Sequence, residues 1–572
     1  MSAVGIGDDD DLGESDFESD IPVDSLDSDS ESDSQEEISD NEENTETEEE
    51  AGAKPMVRGP WLPVLDTDSF DLGNSIDFAE ECGPVNPPDY HAPPICYFNQ
   101  QLRGGDGGVD LFDLLVRETN RYAEQYLQGR TLSPQSRARA WRPVDREEMR
   151  AFLGLLLAMG VVRKPTIASY WNEGDKNWLA STPSFGGIMP RNRFQVIMRF
   201  LHCNDNSVAV PRGQPDHDPL HKIRPVLDLV NGSFANSHGL AQSVCVDERM
   251  VGFKGRHHLV QYMANKKAHR WGVKLWILAE AGTGYTHQVR IYKGRNLGGP
   301  PPKEGLGHSV VMDLMEPHLD KGHHIICDNY FSSPSLCHAL FDRGTFCTGV
   351  VAVRRKGMPS SFVGKRPPRG STIVRRQGPL LAVLFSDRKV FTILSTMGSP
   401  RMEDGLNSRG RSVTLPSVVR LYNTLMGGVD LGDQLIGVYD PQVRSVKLWK
   451  KVLINFLLTA SVNAYQTFLN THGRTTSRLD FHMSLLHSLV GNTQVKRRTG
   501  RPRTQPPSRR LTGRHFIEVL PEGKRKQCVL CRKRQRAIDG SAGKVRTWCP
   551  DCHVGLCARC FRQYHTADHI EE

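Results

Sequence analysis

The sequence predicts a multi-domain α/β protein that ends in a small cysteine-rich metal-binding unit. Three observations carry this. The hydrophobic period switches from helical to strand-like near residue 243 and back to helical near 442. The 572 residues exceed what one core needs, at roughly 100–200 residues per domain. Six of the 13 cysteines fall between 528 and 560, whereas the other seven are scattered singly. A composition of 38% hydrophobic and 24% charged residues is that of a globular chain.

Residues 1–56 are Ser, Asp and Glu with few aromatics, and the first 50 hold 22 acids and no Lys or Arg. Such a tail buries too little apolar surface to offset its chain entropy, so disorder is expected. The rest carries 44 acids against 72 bases, a net of +28 that suits a polyanion such as nucleic acid. Residues 57–109, rich in Pro and Gly, read as a linker. The longest apolar run, 151–162, has 12 residues, short of the roughly 20 of a membrane span. The N-terminus lacks the apolar core of a secretory signal. An intracellular protein without membrane contact is expected, its thiols reduced.

Segment 110–242 reads as helical. Asp110 is placed to cap a helix with Leu111, Leu115, Tyr122 and Tyr126 on one face. Asp145 and Glu148 suit a capping-box-like start for the next helix, and 191–203 reads as a third. Residues 243–253 begin as a strand, and 271–294 as two strands around Gly282-Thr283-Gly284. A helix near 308–319, the apolar strand 323–328 and a helix from Pro334 complete a mixed α/β layer over 243–356. A hairpin over 379–396 lies in a β-rich insertion, 357–416, after which 417–441 returns to the α/β layer. The pattern over 449–469 is helical again, and 442–490 is assigned to the helical domain. A basic linker, 491–524, precedes the cysteine-rich unit, 525–572.

Asp247 and Asp328 each close an apolar strand, and Asp430 follows two glycines at a helix start, with Asp433 three residues on. A carboxylate at the end of a buried strand is costly unless paired or metal-bound. Three such acids could hold two Mg²⁺, which activate the attacking oxygen and stabilise the leaving oxygen of a phosphodiester.

The cysteines read Cys528-x2-Cys531-x17-Cys549-x2-Cys552-x4-Cys557-x2-Cys560-x4-His565-x3-His569, eight ligands for two tetrahedral Zn²⁺. The short gaps favour a cross-brace, with the first and third pairs on one zinc and the second and fourth on the other. His553 competes with the late histidines, and His569 is the weaker of these. This unit has too little core to fold without metal.

The ordered set MRAFLGLLLAMGVVRKPTIASYW (149–171), RNRFQVIMRFLHCND (191–205), VDERMVGFKGR (246–256), CDNYFSS (327–333), LYNTLMGGVDLGDQ (421–434) and VKLWKK (446–451) resembles the piggyBac family of DNA transposases. The resemblance implies a ribonuclease H-like catalytic domain inserted in a helical DNA-binding and dimerisation domain. It implies Asp247, Asp328 and Asp430 as the metal-binding acids and Asp433 as a supporting acid. It also implies Trp449 near the active site, double-stranded DNA (terminal repeats and TTAA targets) as partner, a homodimer, and a nuclear protein. The family excises its element with hairpin formation on the ends and reinserts it at TTAA. Ala352 stands where the family usually carries an Arg, but Arg354, Arg355 and Lys356 remain to meet DNA. The zinc spacing also resembles protein-binding ZZ and B-box modules. Its basic flank and the resemblance to piggyBac cysteine-rich domains favour terminal DNA. The stretch 499–506 resembles an AT-hook, in which Arg501 and Arg503 would lie in the minor groove. The alternative is a domesticated, catalytically silent descendant that binds DNA or chromatin proteins. The presence of all three acids favours the enzyme.

Overall fold

A computed structural model describes residues 59–64, 76–104, 108–134, 136–171, 185–264, 269–294, 303–406, 410–473, 475–491, 514–535 and 544–566. They belong to two compact units, one within Met1–Val495 and one within Lys496–Glu572. The acidic tail, 1–56, and most of the basic linker, including Arg501 and Arg503, lie outside the described residues.

The centre of the large unit is a sheet. Its middle strands are β1 (Ser243–Gly252), β2 (Trp271–Glu280), β3 (Thr286–Ile291), β4 (His324–Cys327) and β5 (Phe346–Val351). Their order is β3-β2-β1-β4-β5, with β1, β2 and β3 antiparallel and β4 and β5 parallel to β1. Parallel neighbours need long crossovers, and helices Leu306–Met315 and Pro334–Asp342 supply them. The expected β-rich insertion is not a separate body. Its strands β6 (Thr372–Gln377), β7 (Leu380–Ser386) and β8 (Val390–Ser395) continue the same sheet beyond β5, in the order β5-β8-β7-β6. Backbone groups at the free edge of β5 had to find partners, and β8 provides them.

Alternation along β1 divides the core in two. Val244 and Val246 face one side with Leu278, Ile325 and the crossover helix residues Val311 and Leu314. Cys245 faces the other side with Ile277, Ile326 and the helical layer. That layer is built from helices Leu111–Leu127, Arg146–Val161, Arg191–Phe200 and Arg224–Ser237. It is joined from beyond the sheet strands by Gly428–Val438, Leu448–His472 and Arg478–Val490. Because Phe152, Leu453 and Ile277 share one core, helices and sheet form one compact unit rather than separable bodies.

The caps follow the sequence. Asp110 accepts from the Phe112 amide and Asp145 from the Glu148 amide. The Glu148 carboxylate pairs with Arg142 and Arg193, each at 2.6 Å. Helix Leu448–His472 is long and apolar enough to span a bilayer, yet 83% of its most apolar window is buried inside the protein. The linker expectation for 57–109 is corrected in part. Pro94–Gln100 is a helix whose Tyr97 and Phe98 are fully buried, and Tyr97 packs edge-on to Phe468 at 5.2 Å. Pro and Gly frequency hid an anchoring aromatic pair.

The small unit consists of short strands, among them Thr547–Cys549 and Val554–Gly555, and the helices Val529–Gln535 and Ala558–Thr566. Its core cluster includes Cys528, Cys549, Cys552 and Cys560 with Leu530, Leu556 and Tyr564.

Candidate metal centres

Cys245 is the register partner of Ile326, and Val246 that of Cys327. Asp247 and Asp328 each follow this last registered pair: Asp328 directly follows β4, as expected, but Asp247 does not close its strand and lies in the middle of β1, which runs on to Gly252. By parity both side chains share the face of Cys245 and Ile326. Asp247 is 9% exposed and accepts from the Glu248 amide at 2.7 Å. Asp328 accepts from the Tyr330 amide at 2.9 Å.

Helix Gly428–Val438 is laid against this face through two glycines. A Cβ on Gly428 would stand 2.8 Å from the Glu280 carbonyl oxygen and 3.2 Å from Cys245 Sγ. A Cβ on Gly432 would meet the Gly284 carbonyl oxygen at 3.0 Å. The close approach brings Asp430, exposed in the first turn, to the face of the sheet that carries Cys245 and Asp247. A carboxylate there also meets the positive end of the helix dipole.

The acids share one electrostatic locality. Burial pushes the Cys245 thiol up to about 12, with Asp247 and Asp430 adding to the shift. The Tyr422 hydroxyl is pushed well above its ordinary value by burial, then by Asp328 and Asp247. The three carboxylates are not drawn to within 4.8 Å of one another, as the donors of three other groups are. Oxygen donors of this kind fit hard divalent cations, which would supply the charge that gathers them.

Asp433 points elsewhere, into an ion pair with Arg249 Nε. Arg249 is 2% exposed and also donates to Thr459 Oγ1 at 3.1 Å and Thr286 Oγ1 at 3.2 Å. Sequence reasoning passed over Arg249 and Tyr422. Parity from Asp247 along VDERM was the available signal for Arg249.

Of the residues expected at DNA, Arg354 and Lys356 are exposed. Arg355 donates through Nη2 to the carbonyl of Asn329, the residue after Asp328. That contact couples the basic turn to the acidic strand end. Trp449 is 7% exposed in the helical core, edge-on to His202 at 5.2 Å. Its helix turns an apolar face inward, and the indole goes with it.

In the small unit, donor atoms of Cys528, Cys531, Cys557 and Cys560 lie within 4.8 Å of one another, and so do those of His515, Cys549, Cys552 and His565. Cys531 Sγ is 3.7 Å from Cys557 Sγ and 3.5 Å from Cys560 Sγ, near the roughly 3.8 Å between thiolates on tetrahedral zinc. First and third cysteine pairs are thus interleaved with the second. The fourth donor of the second group is His515, its Nδ1 3.5 Å from Cys549 Sγ and from Cys552 Sγ. No x2 pairing marked this histidine. His569 lies outside the described residues. His553 is exposed in a turn at φ 55° and belongs to neither group. His565 Nδ1 is 2.8 Å from the Phe561 carbonyl, which holds that proton and leaves Nε2 for a metal. Thiolate and imidazole donors in these sets fit Zn²⁺.

A family model described as Transposase IS4 matches residues 94–465, and one described as a DDE_Tnp_1-like zinc finger matches 510–566. The human PiggyBac transposable element-derived protein 3 is 26% identical over 439 residues, 73% of this chain and 70% of that protein. Human PiggyBac transposable element-derived protein 2 is 25% identical over 473 residues, 79% of this chain and 74% of that protein. The cryo-EM structure of a piggyBac transposase synaptic complex with hairpin DNA matches in fold, with TM-score 0.61 and 21% identity. It covers 84% of this chain and 100% of that one.

Proposed function

The chain belongs to the piggyBac-type DDE transposases, with a C-terminal zinc finger of the kind found on such enzymes, and on that premise we propose that it is a cut-and-paste transposase. It cleaves DNA strands at its element's terminal repeats with two Mg²⁺, forms hairpins on the excised ends and reinserts them at TTAA, acting as a homodimer in the nucleus. The observation that carries this reading is the pair Asp247, within β1, and Asp328, just past the end of the neighbouring β4, with the Asp430 helix packed over the same face. The strand order β3-β2-β1-β4-β5, three antiparallel strands followed by two parallel ones, supports a ribonuclease H-like catalytic core.

The division of labour follows from placement. Asp247, Asp328 and Asp430 offer the oxygen donors for the metals. Two Mg²⁺ held there would supply Lewis acidity to the scissile phosphate and lower the pKa of an attacking oxygen. Asp433 acts through Arg249, which ties the Asp430 helix to β1, β3 and helix Leu448–His472. Arg354 and Lys356 supply phosphate contacts beside the strand ends, while Arg355 orients the turn after Asp328. The cysteine unit carries two Zn²⁺ and recognises the element's ends.

The test places a marked cassette between the chromosomal sequences that flank the coding region. Excision is expected from wild type, and Asp247→Asn, Asp328→Asn and Asp430→Asn should each abolish it while DNA binding persists. An acid whose Asn variant cuts near the wild-type rate is wrongly assigned. DNA binding without excision by wild type would point to a catalytically silent descendant.

A further inference from the structure

A second cluster of metal-capable side chains lies in the large unit, apart from Asp247, Asp328 and Asp430. Glu80, His318 and His323 have donor atoms within 4.8 Å of one another. Their side chains are 18%, 8% and 0% exposed. Glu80 Oε2 is the meeting point, 2.7 Å from His323 Nε2 and 3.4 Å from His318 Nδ1. The other carboxylate oxygen is held by the Lys321 ammonium, which also donates to the Pro317 carbonyl at 2.7 Å. On the far side of the His323 ring, Nδ1 faces the Gln242 carbonyl at 3.4 Å.

The proton count makes this unusual. A carbonyl only accepts, so His323 Nδ1 carries the hydrogen in that contact. Nε2 of the neutral ring then turns a lone pair toward Oε2, and a carboxylate oxygen is also only an acceptor. At 2.7 Å this contact takes either a second proton, which makes the ring an imidazolium, or a metal cation between the two atoms. His318 Nδ1 faces the same carboxylate oxygen, and its Nε2 is buried without a hydrogen-bond partner among the described residues. A ligated histidine with its second nitrogen on a carbonyl, and a ligated carboxylate with its second oxygen on a cation, is the outer-shell pattern of metal sites. On a tetrahedral ion with bonds of about 2.05 Å, ligand atoms lie roughly 3.3 Å apart. The 3.4 Å contact matches this already, and the 2.7 Å contact would open by about 0.6 Å.

We propose that Glu80, His318 and His323 bind a divalent first-row transition cation, Zn²⁺ in the test below, with water completing the shell. Two imidazoles and one carboxylate suit such an ion better than Mg²⁺. The ion is structural. Glu80 belongs to the segment that crosses the sheet end, where the Ala79 amide donates to the Lys321 carbonyl at 3.0 Å and Phe78 meets His323 edge-on at 5.0 Å. His323 immediately precedes β4, a strand of four residues, and Asp328 immediately follows it. The ion therefore clamps the entry of the strand whose exit carries a strand-end acid.

Zinc per chain is measured by elemental analysis on the purified full-length protein in excess Mg²⁺, for wild type and Glu80→Gln. Wild type should hold one more zinc than the variant. A difference of this kind depends neither on how many ions the cysteines hold nor on whether the chain cuts DNA. Lys321→Met, at a side chain 40% exposed, removes the bond that orients Glu80 together with the one to the Pro317 carbonyl and leaves all three donors in place, and should weaken the affinity of this zinc about 10–100-fold. Equal zinc content in wild type and Glu80→Gln overturns the proposal. Should Glu80→Gln not fold, unchanged zinc affinity in Lys321→Met overturns it instead.

Discussion

Replacing Arg249 with Met tests whether the Asp430 helix is held in place by a buried guanidinium. The side chain is 3% exposed and reaches three elements at once: Asp433 on helix Gly428–Val438, Thr286 on β3 and Thr459 on helix Leu448–His472. Met keeps most of the apolar stem and removes every donor. Breaking a buried pair by deleting one partner typically costs about 3–5 kcal/mol. Two features place this case at the lower end. Asp433 is 31% exposed and can recover water, and the Thr459 hydroxyl keeps its bond to the Asn455 carbonyl at 2.9 Å. A loss of about 3 kcal/mol is expected, roughly a hundredfold in the folding equilibrium at about 1.4 kcal/mol per decade. The assay is urea unfolding of wild type, Arg249→Met, Asp433→Leu and the double variant, with the coupling energy taken from the cycle. Coupling above about 1.5 kcal/mol is expected for groups in one network. Arg249→Lys should not rescue, because one ammonium cannot span three partners in the guanidinium's planar fork. DNA cleavage should fall in Arg249→Met with zinc content unchanged. Destabilisation below about 0.5 kcal/mol, or additive singles, would refute the reasoning, because that is the behaviour of an ordinary surface substitution.

Gly349→Ala should destabilise the large unit and impair cleavage, since its Cβ would stand 2.0 Å from Ser332 Oγ and 2.8 Å from the Cys327 carbonyl oxygen. Adding Ser332→Ala should restore only part of the stability, because the backbone clash remains; full recovery in thermal melts would count against it. His515→Asn should lower zinc by one per chain while the four-cysteine group keeps its ion, checked by elemental analysis with thiol counting. Asp205 is held down to about 2, chiefly by its bond from Gln125, then by Ser207 and Arg121. A depressed carboxyl contributes stability above its unfolded value near 3.8, which is lost as pH falls toward 2. The stability gap between wild type and Asp205→Asn should therefore be constant near neutrality and close between about pH 4 and pH 2; a gap that persists at pH 2 would contradict the assignment.

The sequence by itself determined whatever depends on neighbours along the chain. Helix caps at Asp110 and Asp145, the strands around Asp247 and Asp328, and the cysteine pairs were legible because turn chemistry, side-chain period and ligand spacing are local. Resemblance across an ordered set of motifs added the family. Tertiary structure alone decided what depends on distant partners. It joined β6, β7 and β8 to the main sheet and packed Tyr97 of Pro94–Gln100 against Phe468 of helix Leu448–His472. It turned Trp449 into the core and brought His515 to thiols 34 and 37 residues away. It also gathered Glu80 with two histidines more than 230 residues downstream. A donor's type is written in one letter, but its convergence with others is set by which surfaces bury each other, and no local pattern carries that information.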